Sequence, residues 1–167
     1  MKSLTALLLL ACLGLAGTAA CAAEDRKPLP PERAAAVREA LQAWFECVEC
    51  NQGELDQVIR YRGDAEDALI HTLQQGPSRA KRAEIEARLG AQFDANVAAN
   101  NWKPEEKGQY VETYRSKAEL AYRLRAIKAL ARIGTDGARR ALAEAAHDSS
   151  PQVSAAAKKA LGSLPPP

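Results

Sequence analysis

The stretch RLRAIKALARIG at residues 123–134 decides the fold class, because its apolar positions recur every three or four residues, as on one face of an α-helix. A second alanine-rich stretch, PQVSAAAKKAL, occupies residues 151–161. The two stretches share a pattern at a constant offset of 31 residues, with Tyr122, Ala126, Ala129 and Leu130 returning as Val153, Ala157, Ala160 and Leu161. A repeat of this length, made of two helices and a tight turn, predicts a helical solenoid.

Helical spacing extends through the rest of the chain. Val37, Leu41, Trp44, Phe45 and Val48 step by three and four, which predicts one shared helix face. Later stretches repeat this spacing between proline, glycine and asparagine breaks, and none alternates with the period of a β-strand. The sequence therefore predicts an all-α solenoid of about seven helices over residues 31–164, followed by a proline tail at 165–167.

The first residues have the pattern of a secretory signal. Lys2 precedes an apolar run at residues 4–15, and small residues lead to Ala20-Cys21-Ala22. This order predicts a signal peptide over residues 1–23, a polar linker at 24–30 and a periplasmic product. The alternative is a membrane-anchored lipoprotein modified at Cys21, although Thr18 stands where such proteins usually carry a leucine-like residue.

Residues 123–161 also carry a family resemblance. The segment Ala-Leu-x-x-Ile-Gly at 129–134, the turn at Asp148 and the Pro-x-Val at 151–153 resemble HEAT-like repeats of the phycobilisome-lyase type. The whole mature chain is similar to small exported HEAT-repeat proteins with a Cys-x-x-Cys followed by Gly-Glu-Leu, here at residues 53–55. The resemblance implies a HEAT-like α-solenoid and a scaffold-like role, and it brings no known reaction.

Cys47 and Cys50 form the sharpest local motif. In an oxidising compartment such a pair is expected first to form a structural disulfide. A redox couple is the alternative, but Glu46 and Glu49 beside the cysteines oppose a reactive thiolate. A metal site would need two further ligands, and haem attachment would need histidine where Asn51 stands.

The distribution of charged residues along the sequence is more informative than the net charge, which is only +2. Residues 115–159 carry an excess of basic side chains, which is typical of a solvated face; the functional alternatives are contact with a protein partner that has an acidic surface or with anionic lipid. Nucleic acid is not expected for an exported chain, and membrane contact is expected only after lipidation of Cys21. The candidate partner-binding residues are Arg123, Arg125, Arg132, Arg139, Arg140 and Lys158.

Motifs for catalysis and cofactor binding are missing from the sequence. It has no glycine-rich phosphate loop, no G-x-S-x-G and no H-E-x-x-H. We therefore expect no enzyme activity, no cofactor and no resident metal. The predicted function is a periplasmic protein-binding scaffold or adaptor with a structural Cys47–Cys50 disulfide, and the alternative is a thiol-redox accessory factor that uses the same pair.

Overall fold

A computed structural model describes residues 28–99 and 101–165 of the chain. The predicted signal peptide, the lipidation position Cys21, residues 24–27 of the predicted linker and the last two prolines lie outside the described residues. The described part forms seven α-helices and one short 3₁₀ helix. They are α1 (Pro31–Glu46), α2 (Gln52–Arg60), α3 (Arg62–Gln75), α4 (Arg79–Ala98), the 3₁₀ helix (Pro104–Glu106), α5 (Lys107–Ile133), α6 (Asp136–Ala145) and α7 (Pro151–Ser163).

The all-α prediction is confirmed, and local chemistry explains where several helices begin. Side chains of Asn51, Ser78, Thr135 and Ser150 each accept a hydrogen bond from a backbone N–H in the first turn of the helix that follows. Asn51 also forms a complete capping box with Glu54. These caps satisfy donors that have no partner inside a helix.

Helix α5 is the centre of the fold, because it packs on every other α-helix in the described part of the chain. Its C-terminal half is buried between α3, α6 and α7, and alanines at the contacts allow the helix axes to approach closely. The buried positions of α5 are Ala126, Ile127, Ala129, Leu130 and Ile133. Six of the eight repeat positions that the sequence indicated are therefore buried in the core, and the other two, Tyr122 and Leu161, are partly buried.

Helix α4 and the N-terminal half of α5 form an antiparallel arm beside this core. Ile85, Leu89 and Phe93 of α4 are buried, but they lie outside the main buried cluster, and α4 packs chiefly on α5. At the end of the arm, Phe93 contacts the rings of Trp102 and Tyr110, at centroid distances of 5.1 and 5.3 Å. The arm thus has a small aromatic core of its own. None of the described helices is long and apolar enough to cross a lipid bilayer.

One sequence expectation about a buried face is wrong, and one charged residue is buried. Helix α1 ends at Glu46, so Val48 does not continue its apolar face and is 96% exposed. In α3, Glu66 is buried at 4% exposure, which is unusual for a charged residue. The Glu66 carboxylate lies against Gly137 in the first turn of α6, where the helix dipole favours negative charge and glycine leaves room for it.

We predict that Gly134→Ala destabilises the fold by about 1–2 kcal/mol, because Gly134 ends α5 in the left-handed conformation at φ 67°. Space is not the reason, since a Cβ at this position would meet its nearest neighbour, Leu164, at 3.7 Å. Urea unfolding followed by circular dichroism measures the effect. Gly108→Ala is the matched control: it lies inside α5 in open space, and alanine there should stabilise the helix by about 0.5 kcal/mol. Equal effects of the two substitutions would contradict the assignment.

Candidate functional site

Arg125 fixes the end of α1 against α5. Its guanidinium donates hydrogen bonds to the carbonyl oxygens of Phe45 and Cys47, the latter at 2.8 Å. In return, the Trp44 indole N–H donates to the backbone carbonyl of Arg125 at 3.2 Å. The last carbonyls of a helix lack partners within it and carry partial negative charge, so a guanidinium satisfies them both by hydrogen bonding and by charge.

The Cys47–Cys50 disulfide lies in the short connection between α1 and α2. The structure joins the two sulfur atoms, with a Cα–Cα distance of 5.1 Å that is normal for a disulfide. The Cys47 sulfur lies 3.0 Å from the Trp44 carbonyl oxygen, and the Cys50 sulfur lies 3.4 Å from the Cys47 carbonyl oxygen. Carbonyl oxygens near sulfur disfavour a thiolate, so these surroundings suit a structural bridge better than a reactive thiol.

An open groove runs beside this connection, between α1, α3, α4 and α5. Its larger part has a volume of about 500 Å³ and its smaller part about 200 Å³. The two parts share a floor made by the stacked rings of Phe45 and Tyr122, whose centroids are 5.0 Å apart and whose planes differ by 7°. Burial, followed by the charge of Glu46, raises the pKa of the Tyr122 phenol, which therefore remains neutral.

Lys81 bridges the groove between α4 and α1. Its ammonium group lies 2.7 Å from the Glu46 carboxylate and 2.8 Å from that of Glu84. Desolvation alone would lower the pKa of Lys81, but the hydrogen bonds to the two carboxylates outweigh it and raise the pKa. The lysine thus remains charged and holds the two walls of the groove at a fixed separation. Sequence reasoning missed this bridge, because residues 46 and 81 belong to helices that only the tertiary fold brings together.

Arg123 ties α5 to two further elements. Its Nε donates to the Leu73 carbonyl oxygen at the end of α3 at 2.7 Å, and its Nη2 pairs with the Asp148 carboxylate. That carboxylate also accepts a hydrogen bond from the Ser150 backbone N–H at 2.8 Å. The hydrogen bond from Arg123 is the main reason that the pKa of Asp148 lies below its ordinary value.

The structure divides the six predicted partner-binding residues into two groups. Arg123 and Arg125 are half-buried and use their guanidinium groups inside the molecule. Arg132 is exposed and lies 3.5 Å from Asp56, a separation at which an exposed pair contributes little. The other three make no ion pair with any described residue, and Arg140 and Lys158 are exposed while Arg139 is partly so. The full set is Arg123, Arg125, Arg132, Arg139, Arg140 and Lys158.

Comparison with known families gives a match for the C-terminal part of the chain. Residues 111–167 match the family model of HEAT repeats. The predicted HEAT-like helical fold is thereby confirmed, and the match begins near the N-terminus of α5, at the end of the arm that carries Tyr110. No match was found among curated proteins or among solved structures.

We predict that Asp148→Asn destabilises the protein by about 1–2 kcal/mol at neutral pH, since it removes a charged partner of Arg123. The folded-state pKa of Asp148 is lowered, so its contribution is full above the unfolded-state pKa of about 3.9 and is lost as pH falls through the folded value. The stability difference between wild type and variant should therefore shrink as the pH falls below about 3.9. Urea unfolding between pH 2.5 and 7 measures the difference. Glu144→Gln, which removes an exposed carboxylate near the same turn, is the charge-matched control and should change the free energy of unfolding at neutral pH by less than Asp148→Asn does.

We predict that replacing Cys47 and Cys50 together by serine lowers the free energy of unfolding by only about 1–2 kcal/mol, because the disulfide closes a very small loop. Arg125 still holds the end of α1, so helical content should be unchanged. Circular dichroism and urea unfolding of the double variant measure both quantities. A Cys50→Ser single variant that accumulates mixed disulfides with other proteins would contradict a purely structural role.

Proposed function

We propose that the protein is a periplasmic scaffold or adaptor that binds another protein, with Cys47–Cys50 serving as a structural disulfide. HEAT repeats are generally non-catalytic and commonly mediate contacts between proteins. The observation that carries the proposal is the open groove between α1, α3, α4 and α5, which offers an apolar floor with polar walls. Binding sites for protein segments combine these two features, since burial supplies affinity and polar groups supply orientation.

The exposed basic residues of α6 and α7 support an acidic partner. Arg140 and Lys158 are exposed and Arg139 is partly exposed, and none of the three makes an ion pair with any described residue. Charges of this kind act chiefly on the rate and specificity of association, because solvent and salt weaken them at equilibrium. We infer that they steer a partner with an acidic surface toward the repeats. Arg123 and Arg125 would act indirectly, by holding α5 in place.

The periplasmic location is proposed from the sequence at the N-terminus. Lys2, the apolar run at residues 4–15 and the small residues before Ala23 have the order of a cleaved signal peptide. An oxidising compartment also suits a chain whose Cys47 and Cys50 are joined. Lipidation at Cys21 would instead anchor the same scaffold to a membrane.

We predict that the tagged protein, recovered from an envelope fraction, captures a protein partner and that Arg139→Glu with Arg140→Glu reduces this capture several-fold. Raising the salt concentration should have the same effect, because exposed charges are screened over about 8 Å at physiological ionic strength. Quantitative mass spectrometry of the captured proteins is the measurement, and Arg79→Glu with Arg82→Glu, on α4, is the charge-matched control.

Three results would change the proposal. Capture that is insensitive to salt and to Arg139→Glu with Arg140→Glu would remove the basic residues of α6 from the interface. A diacylglyceryl mass on Cys21, in place of a free N-terminus near Ala23, would replace the soluble periplasmic form with a lipoprotein. Partners released only by reductant would favour the thiol-redox alternative.

A further inference from the structure

The groove has an apolar centre. Its larger part is lined by Leu41, Ala68 and Pro77 beside the stacked rings of Phe45 and Tyr122. The rings stack on each other from helices α1 and α5, so the floor is held from both sides and does not depend on a loop. A floor of this shape accepts one apolar side chain from a partner, because removing apolar surface from water is the main source of affinity at such sites.

Some of the charged residues around this centre already have partners within the protein, and others do not. Lys81 is held by Glu46 and Glu84, and the guanidinium of Arg125 is occupied by backbone carbonyls. Arg38 and Arg88 also line the groove, and both are exposed without an ion pair to any described residue. These last two are therefore the basic groups in the groove that remain available to a partner.

Arg38 and Arg88 stand on different sides of the floor. Arg38 lines only the larger part of the groove and Arg88 only the smaller part, whereas the rings of Phe45 and Tyr122 line both. Glu46 also borders both parts and would repel a carboxylate placed at the centre. Glu84 and Lys81 also border both parts, so the centre is an apolar floor edged by two carboxylates and one ammonium group, and it lies between a free arginine in each part of the groove.

We propose that the groove binds a short protein segment in which one large apolar side chain is flanked on both sides by acidic residues. The apolar side chain would rest on the Phe45–Tyr122 floor, and the flanking carboxylates would pair with Arg38 and Arg88. This inference rests on the proposed function as a protein-binding scaffold, and it adds the chemistry of the bound segment. It also places the contact in the groove, apart from the basic residues of α6 and α7.

The test uses the full mature chain and a fluorescein-labelled heptapeptide, Gly-Glu-Glu-Trp-Glu-Glu-Gly, with binding followed by fluorescence anisotropy. One control peptide carries serine in place of tryptophan, and a second carries lysine in place of every glutamate. Both control peptides should bind about ten-fold more weakly or not at all, because each lacks one of the two required features.

Arg38→Glu combined with Arg88→Glu should weaken binding of the acidic peptide by about ten-fold. Both residues are exposed, so the variant should retain its helical content and melting temperature. The matched control is Lys103→Glu with Lys159→Glu, which makes the same change in net charge at exposed positions outside the groove. The control should bind within about two-fold of wild type.

Several results would overturn the inference. Equal weakening by the two double variants would reduce the effect to general electrostatic attraction, and equal binding of the tryptophan and serine peptides would remove the apolar anchor. Self-association of the wild type that is lost on reversing Arg38 and Arg88 would make a second copy of this chain the occupant. Capture of an envelope partner that survives that reversal would overturn the groove assignment and leave the scaffold proposal standing, whereas failure of the wild type to capture any partner would remove the scaffold proposal itself.

Discussion

The burial of α5 is the constraint on which the rest of the structure depends. Its C-terminal half carries a stripe of fully buried small and branched residues, including Ala126, Ala129 and Leu130. No single neighbouring helix covers that stripe, so α3 from one side of the sequence and α6 and α7 from the other must pack on it together. Because each repeat helix leaves an apolar face that only its neighbours can cover, the stack is stable as a whole rather than as separate helices.

Two arginines extend this constraint to the ends of other helices. Arg123 and Arg125 reach from α5 to the last carbonyl groups of α3 and α1. These carbonyl groups lie at the negative end of the helix dipole and lack a hydrogen-bond donor within their own helix. A lysine would carry the same charge, but it lacks the planar group that lets Arg125 donate to two carbonyl oxygens at once. The basic character of α5 therefore partly serves to assemble the fold.

The groove is a consequence of the arm. Because α4 packs on α5 and lies outside the main core, its N-terminal half stands apart from α1, and the space between them is open. The contacts of Lys81 with Glu46 and Glu84 span that space, and the Phe45–Tyr122 stack closes it below. Groove walls built from packed helices rather than loops would lose little conformational freedom if a ligand bound there.

The sequence by itself determined the helical class and the repeat spacing and favoured a Cys47–Cys50 disulfide, because periodicity, capping residues and short cysteine spacing are local signals. It could not tell that Arg125 points inward or that Lys81 meets Glu46, since their partners lie far away in the chain. It also could not foresee that Glu66 would be buried, because the reason is the space that Gly137 leaves in a different helix. Only the tertiary structure decided which charges are used inside the fold and which remain free, since desolvation and pairing depend on the packing of helices that the sequence does not place side by side.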